Sequence, residues 1–354
     1  MTSTEGLELE VRPSLRLHTL TCLRAAAALI VVVHHTFGPD DIPVVRLGYT
    51  GVSFFFVLSG LVLAWSYRPS QSAASFWRNR AARILPVYYV CVLAGMILPL
   101  AREVSPVSAT AAVTLSQAWF PAGDLRYGVH SASWSLSAEV FFYLCFPLLV
   151  LLARRWLRQP WAVMAAMGGL WLLGITVAIG AQSLLPAYAY WLTYTFPPYR
   201  IFEFAIGICL ALLWQSGWRP RLSPPVLGWS SFASLCVPVV WDLVQGGVDR
   251  SVVALAAIPG IVALLWWAIA VEDGGGRSPR WVQPWFIRLG LWSYALYLVH
   301  PLVIRVAAAA AGRDVDGYLS VGLGGAVIMA SLVLAAMLRE FVEEPLNRRL
   351  RAPR

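Results

Sequence analysis

The chain has 354 residues, 59% of them hydrophobic and 13% charged, with a mean hydropathy of +0.67. A water-soluble domain could not bury that much apolar surface, so the composition excludes a soluble globular protein and predicts an all-α, polytopic membrane protein. The net charge of +9 rests on 27 basic residues that are all arginine; these stay protonated and bind phosphate or carboxylate in bidentate fashion, and their placement in loops points to a membrane face and not to nucleic acid. Cys22, Cys91, Cys145, Cys209 and Cys236 lie in apolar stretches without disulfide or zinc spacing, so neither a disulfide framework nor a metal site is expected.

Residues 1–17 are polar and mixed in charge, and the apolar run that follows has no convincing cleavage site, which predicts a cytoplasmic tail leading into a retained first helix. Apolar segments of about 20 residues, the length a bilayer requires, fall near 18–36, 50–67, 84–101, 134–153, 161–180, 199–216, 225–245, 250–271, 287–308 and 317–339. The arginines orient these roughly ten spans. Arg68, Arg78, Arg80 and Arg83 fall between the second and third, Arg154, Arg155 and Arg158 after the fourth, and Arg219 and Arg221 after the sixth. Arg277, Arg280 and Arg288 precede the ninth, and Arg348, Arg349, Arg351 and Arg354 end the chain. All become cytoplasmic if both termini are, provided that 104–132 dips into the outer face without crossing. The expected organisation is a tail (1–17), a transmembrane domain (18–345) and a basic cytoplasmic tail (346–354), with no internal repeat.

Ionisable groups within spans cost roughly 2.5–3.5 kcal/mol each on insertion scales, so each is a candidate for function. In "RAAAALIVVVHH", Arg24 and His35 are eleven residues apart, which at about 100° per residue returns to within about 20° of one face, about 16 Å along the axis. His34 is turned about 100° away, so His35 is the inward-facing histidine. "GYTGVSFFFVLSG" mixes glycine and serine with aromatics, a pattern for close helix packing. In "FWRNRAARILPVYY", Arg80 and Arg83 at i and i+3 make a phosphate receptor to which Arg78 adds a contact, although positive-inside bias alone would also place arginines there. In "WSLSAEVFFYL", Ser135 and Glu139 stand at i and i+4 with Tyr143 one turn further; the carboxylate could orient an imidazole, and the serine could position a substrate oxygen or simply cap the helix. "YRIFEFAIG" pairs Arg200 with Glu203, and "SYALYLVHP" lines Ser293, Tyr297 and His300 along one face, where a histidine serves either substrate contact or helix packing. In the proposed topology, His35 and Glu139 lie at similar depth.

These motifs, in this order, make the sequence resemble the acyltransferase-3 family of bacterial integral-membrane O-acyltransferases over roughly 15–350: "LRAAAALIVVVHH", "GVSFFFVLSG", "RNRAARILP", "WSLSAEVFFYLCFP", "YRIFEFAIG", "SYALYLVHP" and "FVEEPLNR". The resemblance implies transfer of an acyl group from cytoplasmic acyl-CoA, with acetyl-CoA the expected donor, to a hydroxyl of a saccharide or a secondary metabolite such as a macrolide, in the bacterial inner membrane and with no metal. Arg24 and His35 match the family's essential arginine and histidine, Ser135 and Glu139 its serine–glutamate motif, and Arg80 and Arg83 its paired arginines. On that basis His35 is the general base, Glu139 orients it, Ser135 and Arg24 complete the catalytic set, Arg78, Arg80 and Arg83 hold the donor, and Tyr143, Tyr297 and His300 contact substrate. Two departures stand out: Ser53 and Val140 occupy positions where the family commonly has acids, so neither carboxylate is required here. The esterase-like domain that some members append is not expected. The competing class is a secondary transporter or flippase for a glycan or lipid-linked substrate, with Arg24, His35, Glu139, Arg200 and Glu203 as its polar path; it predicts pseudo-symmetric halves, which the sequence does not display.

Overall fold

A computed structural model describes residues 18–38, 45, 47–98, 104–245, 250–273, 281–312 and 320–352. The expected tail 1–17, Arg277, Arg280 and Arg354 lie outside the described residues. Among the described residues there is helix, turn and loop, and no strand. The helices are α1 (His18–Phe37), α2 (Thr50–Trp65), α3 (Ala73–Ile97), α4 (Pro106–Val113), α5 (Gly123–Tyr127), α6 (Trp134–Trp156) and α7 (Pro160–Leu184). They continue with α8 (Pro186–Tyr190), α9 (Pro197–Gln215), α10 (Pro224–Gln245), α11 (Arg250–Asp273), α12 (Pro284–Ala310), α13 (Val321–Leu338) and α14 (Glu344–Leu350). Single π-helical turns, Trp191–Thr195 and Arg339–Glu343, join α8 to α9 and α13 to α14.

Nine of the described helical stretches are long and apolar enough to cross a membrane, and the protein is a multi-pass membrane protein. The remaining expected span, α2, has 16 residues, about 24 Å at 1.5 Å per residue and shorter than the roughly 30 Å hydrocarbon layer. It is sheathed by other helices, with Val57, Leu58, Leu61 and Ala64 buried, and backbone enclosed in protein does not have to bridge the lipid alone. By contrast Leu172, Leu173, Val177 and Ile179 on α7, Trp229, Phe232, Val237 and Val240 on α10, and Met329 and Val333 on α13 are exposed. In water, each such aliphatic side chain would forgo about 1.5–3 kcal/mol of burial, whereas lipid tails receive it.

Two close helix crossings are made at glycines. A Cβ on Gly60 of α2 would lie 2.0 Å from the Phe204 carbonyl oxygen, and one on Gly207 of α9 would lie 2.0 Å from that of Val57, so the two backbones touch reciprocally. On α12, a Cβ at Gly290 would meet the Thr21 carbonyl oxygen of α1 at 1.9 Å. Helices α1 and α12 pack against each other.

Two sequence boundaries need correction. Helix α3 starts at Ala73 and not near 84, with the Ser72 hydroxyl accepting the Ser75 N–H at 3.2 Å as its cap, so Arg78 lies on the same helix as Arg80 and Arg83. The basic tail expected from 346 is helical through Leu350 and docks on α3: Arg78 Nε donates to the Leu350 carbonyl at 2.8 Å, and the Ala352 N–H to Asn79 Oδ1 at 2.9 Å. Residues 104–132 contain no helix of spanning length. They fold into the bundle as α4, a short 3-10 turn (Gln117–Trp119) and α5, with the Tyr88 hydroxyl donating to the Ala112 carbonyl at 2.6 Å and Trp191 Nε1 to that of Ala118 at 3.0 Å.

Candidate active site

Helix α1 carries two adjacent histidines with different surroundings. His34 is buried, and its Nδ1 lies 2.8 Å from the Val45 carbonyl, to which it donates. It therefore fastens the chain that follows α1. His35, one residue on and about 100° around the helix, has an exposed side chain. Its Nδ1 lies 3.0 Å from Nε2 of His300, which is fully buried on α12, and the two rings are 5.1 Å apart with planes tilted by 27°. His300 Nδ1 in turn lies 3.0 Å from the Leu296 carbonyl one turn back.

Below this pair a cavity opens between α1, α2, α3, α6 and α12. Arg24, Arg80 and Arg83 all line it, together with Ser59, Glu139 and Tyr143. Arg24 Nε and Arg80 Nε are buried without a hydrogen-bond partner, and among the described residues no ion pair joins any of the three guanidiniums to a protein carboxylate. Glu139 accepts instead from the Tyr143 hydroxyl and, at 3.3 Å, from that of Ser59, while the nearby Glu343 is paired with Arg339. The cavity is thus an electropositive receptacle at one end, shaped for an anion. At the other end, Ser135 Oγ and Tyr297 Oη stand 2.8 Å apart, and both also approach the Ala132 carbonyl at 3.1 Å. The Tyr297 ring is 5.8 Å from that of His300, while His300 and His35 themselves do not line the cavity.

Two expected contacts are corrected by this arrangement. Among the described residues no hydrogen bond or ion pair links Glu139 to His35. Glu139 lies one turn, about 6 Å, beyond Ser135 on α6, and it is Ser135 that reaches the level of Tyr297 and His300. The partner of His35 is His300, a residue expected to touch substrate, for which the sequence offered only its shared face with Tyr297. Likewise Arg78 does not line the cavity but ties α3 to the chain end, and Arg24 takes the third place beside Arg80 and Arg83.

The other buried charges support the frame. Arg200 pairs with Glu203 at 3.0 Å, as the sequence predicts, and donates to Ser53 Oγ at 3.0 Å. Three residues not singled out by sequence fix the 104–133 segment. Arg305 donates to the carbonyls of Val129 and Tyr127 at 3.0 and 3.1 Å, Arg126 to Thr195 Oγ1 at 3.1 Å, and His130 Nε2 to the Leu298 carbonyl at 2.6 Å. Burial pushes the His130 imidazole down to about 4. Arg305 within an apolar helix was a readable signal by the same cost argument that picked out Arg24.

The family model for this Acyltransferase domain, of the acyltransferase-3 group, matches residues 17–339. The chain belongs to this family. The Acyltransferase MdmB of Streptomyces mycarofaciens is 33% identical over 367 residues, covering 95% of this chain and 92% of that protein. The Exopolysaccharide production protein ExoZ of Rhizobium meliloti is 30% identical, covering 87% of this chain and 92% of that protein. The Peptidoglycan O-acetyltransferase OatA of Listeria monocytogenes is 23% identical, covering 92% of this chain and 55% of that protein. No solved structure matches. The protein is an integral-membrane acyltransferase, and its relatives support O-acyl transfer.

Proposed function

We propose that the protein moves an acyl group, acetyl in the first instance, from cytoplasmic acyl-CoA to a hydroxyl of a saccharide or of a secondary metabolite such as a macrolide, in the bacterial inner membrane. The observation that carries this reading is the cavity in which Arg24, Arg80 and Arg83 have no carboxylate partner among the described residues and which ends at Tyr297, beside the His300–His35 pair. The guanidiniums hold the donor's phosphates, each charge-assisted contact worth roughly 1.5–3 kcal/mol. The long pantetheine arm carries the thioester past Glu139 and Tyr143 toward Ser135 and Tyr297, whose hydroxyls contact the acyl end. Arg24, about three turns below His35 on the same helix, marks the donor's path to it.

His35 takes the proton of the acceptor hydroxyl, the freed oxygen attacks the thioester carbonyl, the carbon–sulfur bond breaks, and the proton passes to the departing thiolate. Imidazole titrates near operating pH and suits that exchange. The arginines, in loops and at helix ends on one side, favour cytoplasmic termini and an outward-facing acceptor. Two of the relatives, a peptidoglycan O-acetyltransferase and an exopolysaccharide production protein, favour a saccharide acceptor.

Mass spectrometry of surface glycans and secreted metabolites from cells with and without an active copy tests the assignment. The expected result is a product heavier by one acyl group that is missing when His35 is replaced by alanine; identical profiles contradict it. Intact-mass measurement of protein incubated with acetyl-CoA alone separates direct transfer, which leaves the mass unchanged, from a covalent acyl-enzyme.

A further inference from the structure

We infer that His300 is the positioning residue for His35: their hydrogen bond fixes the tautomer of His35 so that its Nε2 is the nitrogen that takes the acceptor's proton. This deepens the proposed function and rests on the reading of His35 as the base.

The argument begins with the buried end of the pair. A neutral imidazole has one N–H donor and one lone-pair acceptor. His300 Nδ1 lies 3.0 Å from the Leu296 carbonyl oxygen, which can only accept, so in neutral His300 the hydrogen is on Nδ1 and Nε2 carries the lone pair. That Nε2 lies 3.0 Å from His35 Nδ1, which must therefore be the donor. Neutral His35 then has its hydrogen on Nδ1 and an unshared pair on Nε2, the one ring nitrogen of the two histidines for which the described residues supply no partner. The reverse assignment, with His300 Nε2 donating, would set two lone pairs against each other at Leu296.

Chemistry at Nε2 leaves the hydrogen bond to His300 in place. When Nε2 takes the acceptor's proton, His35 becomes an imidazolium whose Nδ1–H still donates to His300 Nε2, a contact stronger for being charge-assisted. When the carbon–sulfur bond breaks, the same Nε2 returns its proton to the thiolate, and the pair is restored. The fully buried His300 holds the ring at a fixed tilt while the exposed side of His35 meets the acceptor. His34, in contrast, spends its Nδ1–H on Val45, and no second imidazole stands within hydrogen-bonding distance of it.

Steady-state kinetics of the purified protein with acetyl-CoA as donor and an extract of cells carrying the protein as the acceptor source, comparing His300→Leu with His300→Gln, test the assignment. Glutamine keeps a carbonyl oxygen where Nε2 accepts, and leucine does not. His300→Leu is expected to lower kcat about 100-fold with donor KM within about twofold of wild type, and His300→Gln to recover most of the loss. Wild-type kcat in His300→Leu, or equal impairment of both variants, would overturn the inference. Solid-state nitrogen NMR of ¹⁵N-histidine-labelled wild-type protein above neutral pH reads the tautomer without relying on a variant's folding, with the His35 signals identified by their loss in His35→Asn. Protonated Nδ1 is expected; protonated Nε2 would overturn the inference. Wild-type turnover of acetyl-CoA and its loss in His35→Ala bear on the base reading alone, so a failure there is told apart from a failure of the pairing.

Discussion

Arg80 and Arg78 are two residues apart on α3, yet one faces the cavity and the other fastens the chain end. That difference predicts opposite kinetic behaviour. Arg80→Ala and Arg83→Ala should each raise the donor KM about tenfold with little change in kcat, the loss of one charge-assisted contact, and Arg80→Lys should recover only part because an ammonium cannot make a bidentate contact. Arg78→Ala should leave donor KM near wild type. Equal effects at all three positions in acetyl-CoA titrations would contradict the division. At this scale phase alone separated His35 from His34 and set it in line with Arg24, but the expectation that His35 is the inward-facing histidine is corrected: His34 is the buried one and the His35 side chain is exposed. The sequence was not legible where two helices must be placed at matching depth. Spacing along α6 says nothing of how far α6 is shifted against α1, and so Glu139 was matched to His35 when Ser135 and His300 are the residues near that level.

The elements hold these side chains through a few close contacts. Because Gly207 and Gly60 let α9 and α2 touch, Gly207→Leu has no room beside the Val57 carbonyl; it should lower the thermal unfolding midpoint in detergent by several degrees and cut activity through displacement of α2, while Gly180→Leu, on the open side of α7, should change neither. The 104–133 segment is held from α12 by Arg305 and His130. His130 has a folded-state pKa near 4 against 6.5 in the unfolded chain, so below 6.5 the unfolded chain takes up the proton first. Its contribution is complete above 6.5 and is lost as pH falls toward 4. Tryptophan-monitored melts at pH 7.5 and 4.5 should show a smaller acid-induced drop for His130→Gln than for wild type; equal drops would exclude His130 as a source. The apolar runs revealed nearly every spanning helix, but not the 16-residue length of α2, because its enclosure by neighbours is a tertiary property. The apolar pattern of 104–132 did not show that its helices are all short of spanning length, nor which carbonyls Arg305 and His130 grip.

For the molecule as a whole, the proposed topology, argued from the asymmetry of arginine, has the arginine-lined cavity and the chain end on the cytoplasmic side and α5 outside. An impermeant maleimide applied to intact cells should therefore label Asp124→Cys, and should label Arg221→Cys only after permeabilisation, in a background without native cysteines; the reverse pattern would invert the topology. Composition sufficed for the fold class, since a chain this apolar has nowhere else to place its surface. The pairing of cavity and histidines came only with the packing of α1 against α12. The most direct test of the whole account is release of CoA thiol from acetyl-CoA by the purified protein, with an extract of cells carrying it as the acceptor source. The account predicts acceptor-dependent thiol release in wild type and its loss in a His35→Ala variant that retains the wild-type melting profile; undiminished release from that variant would contradict it.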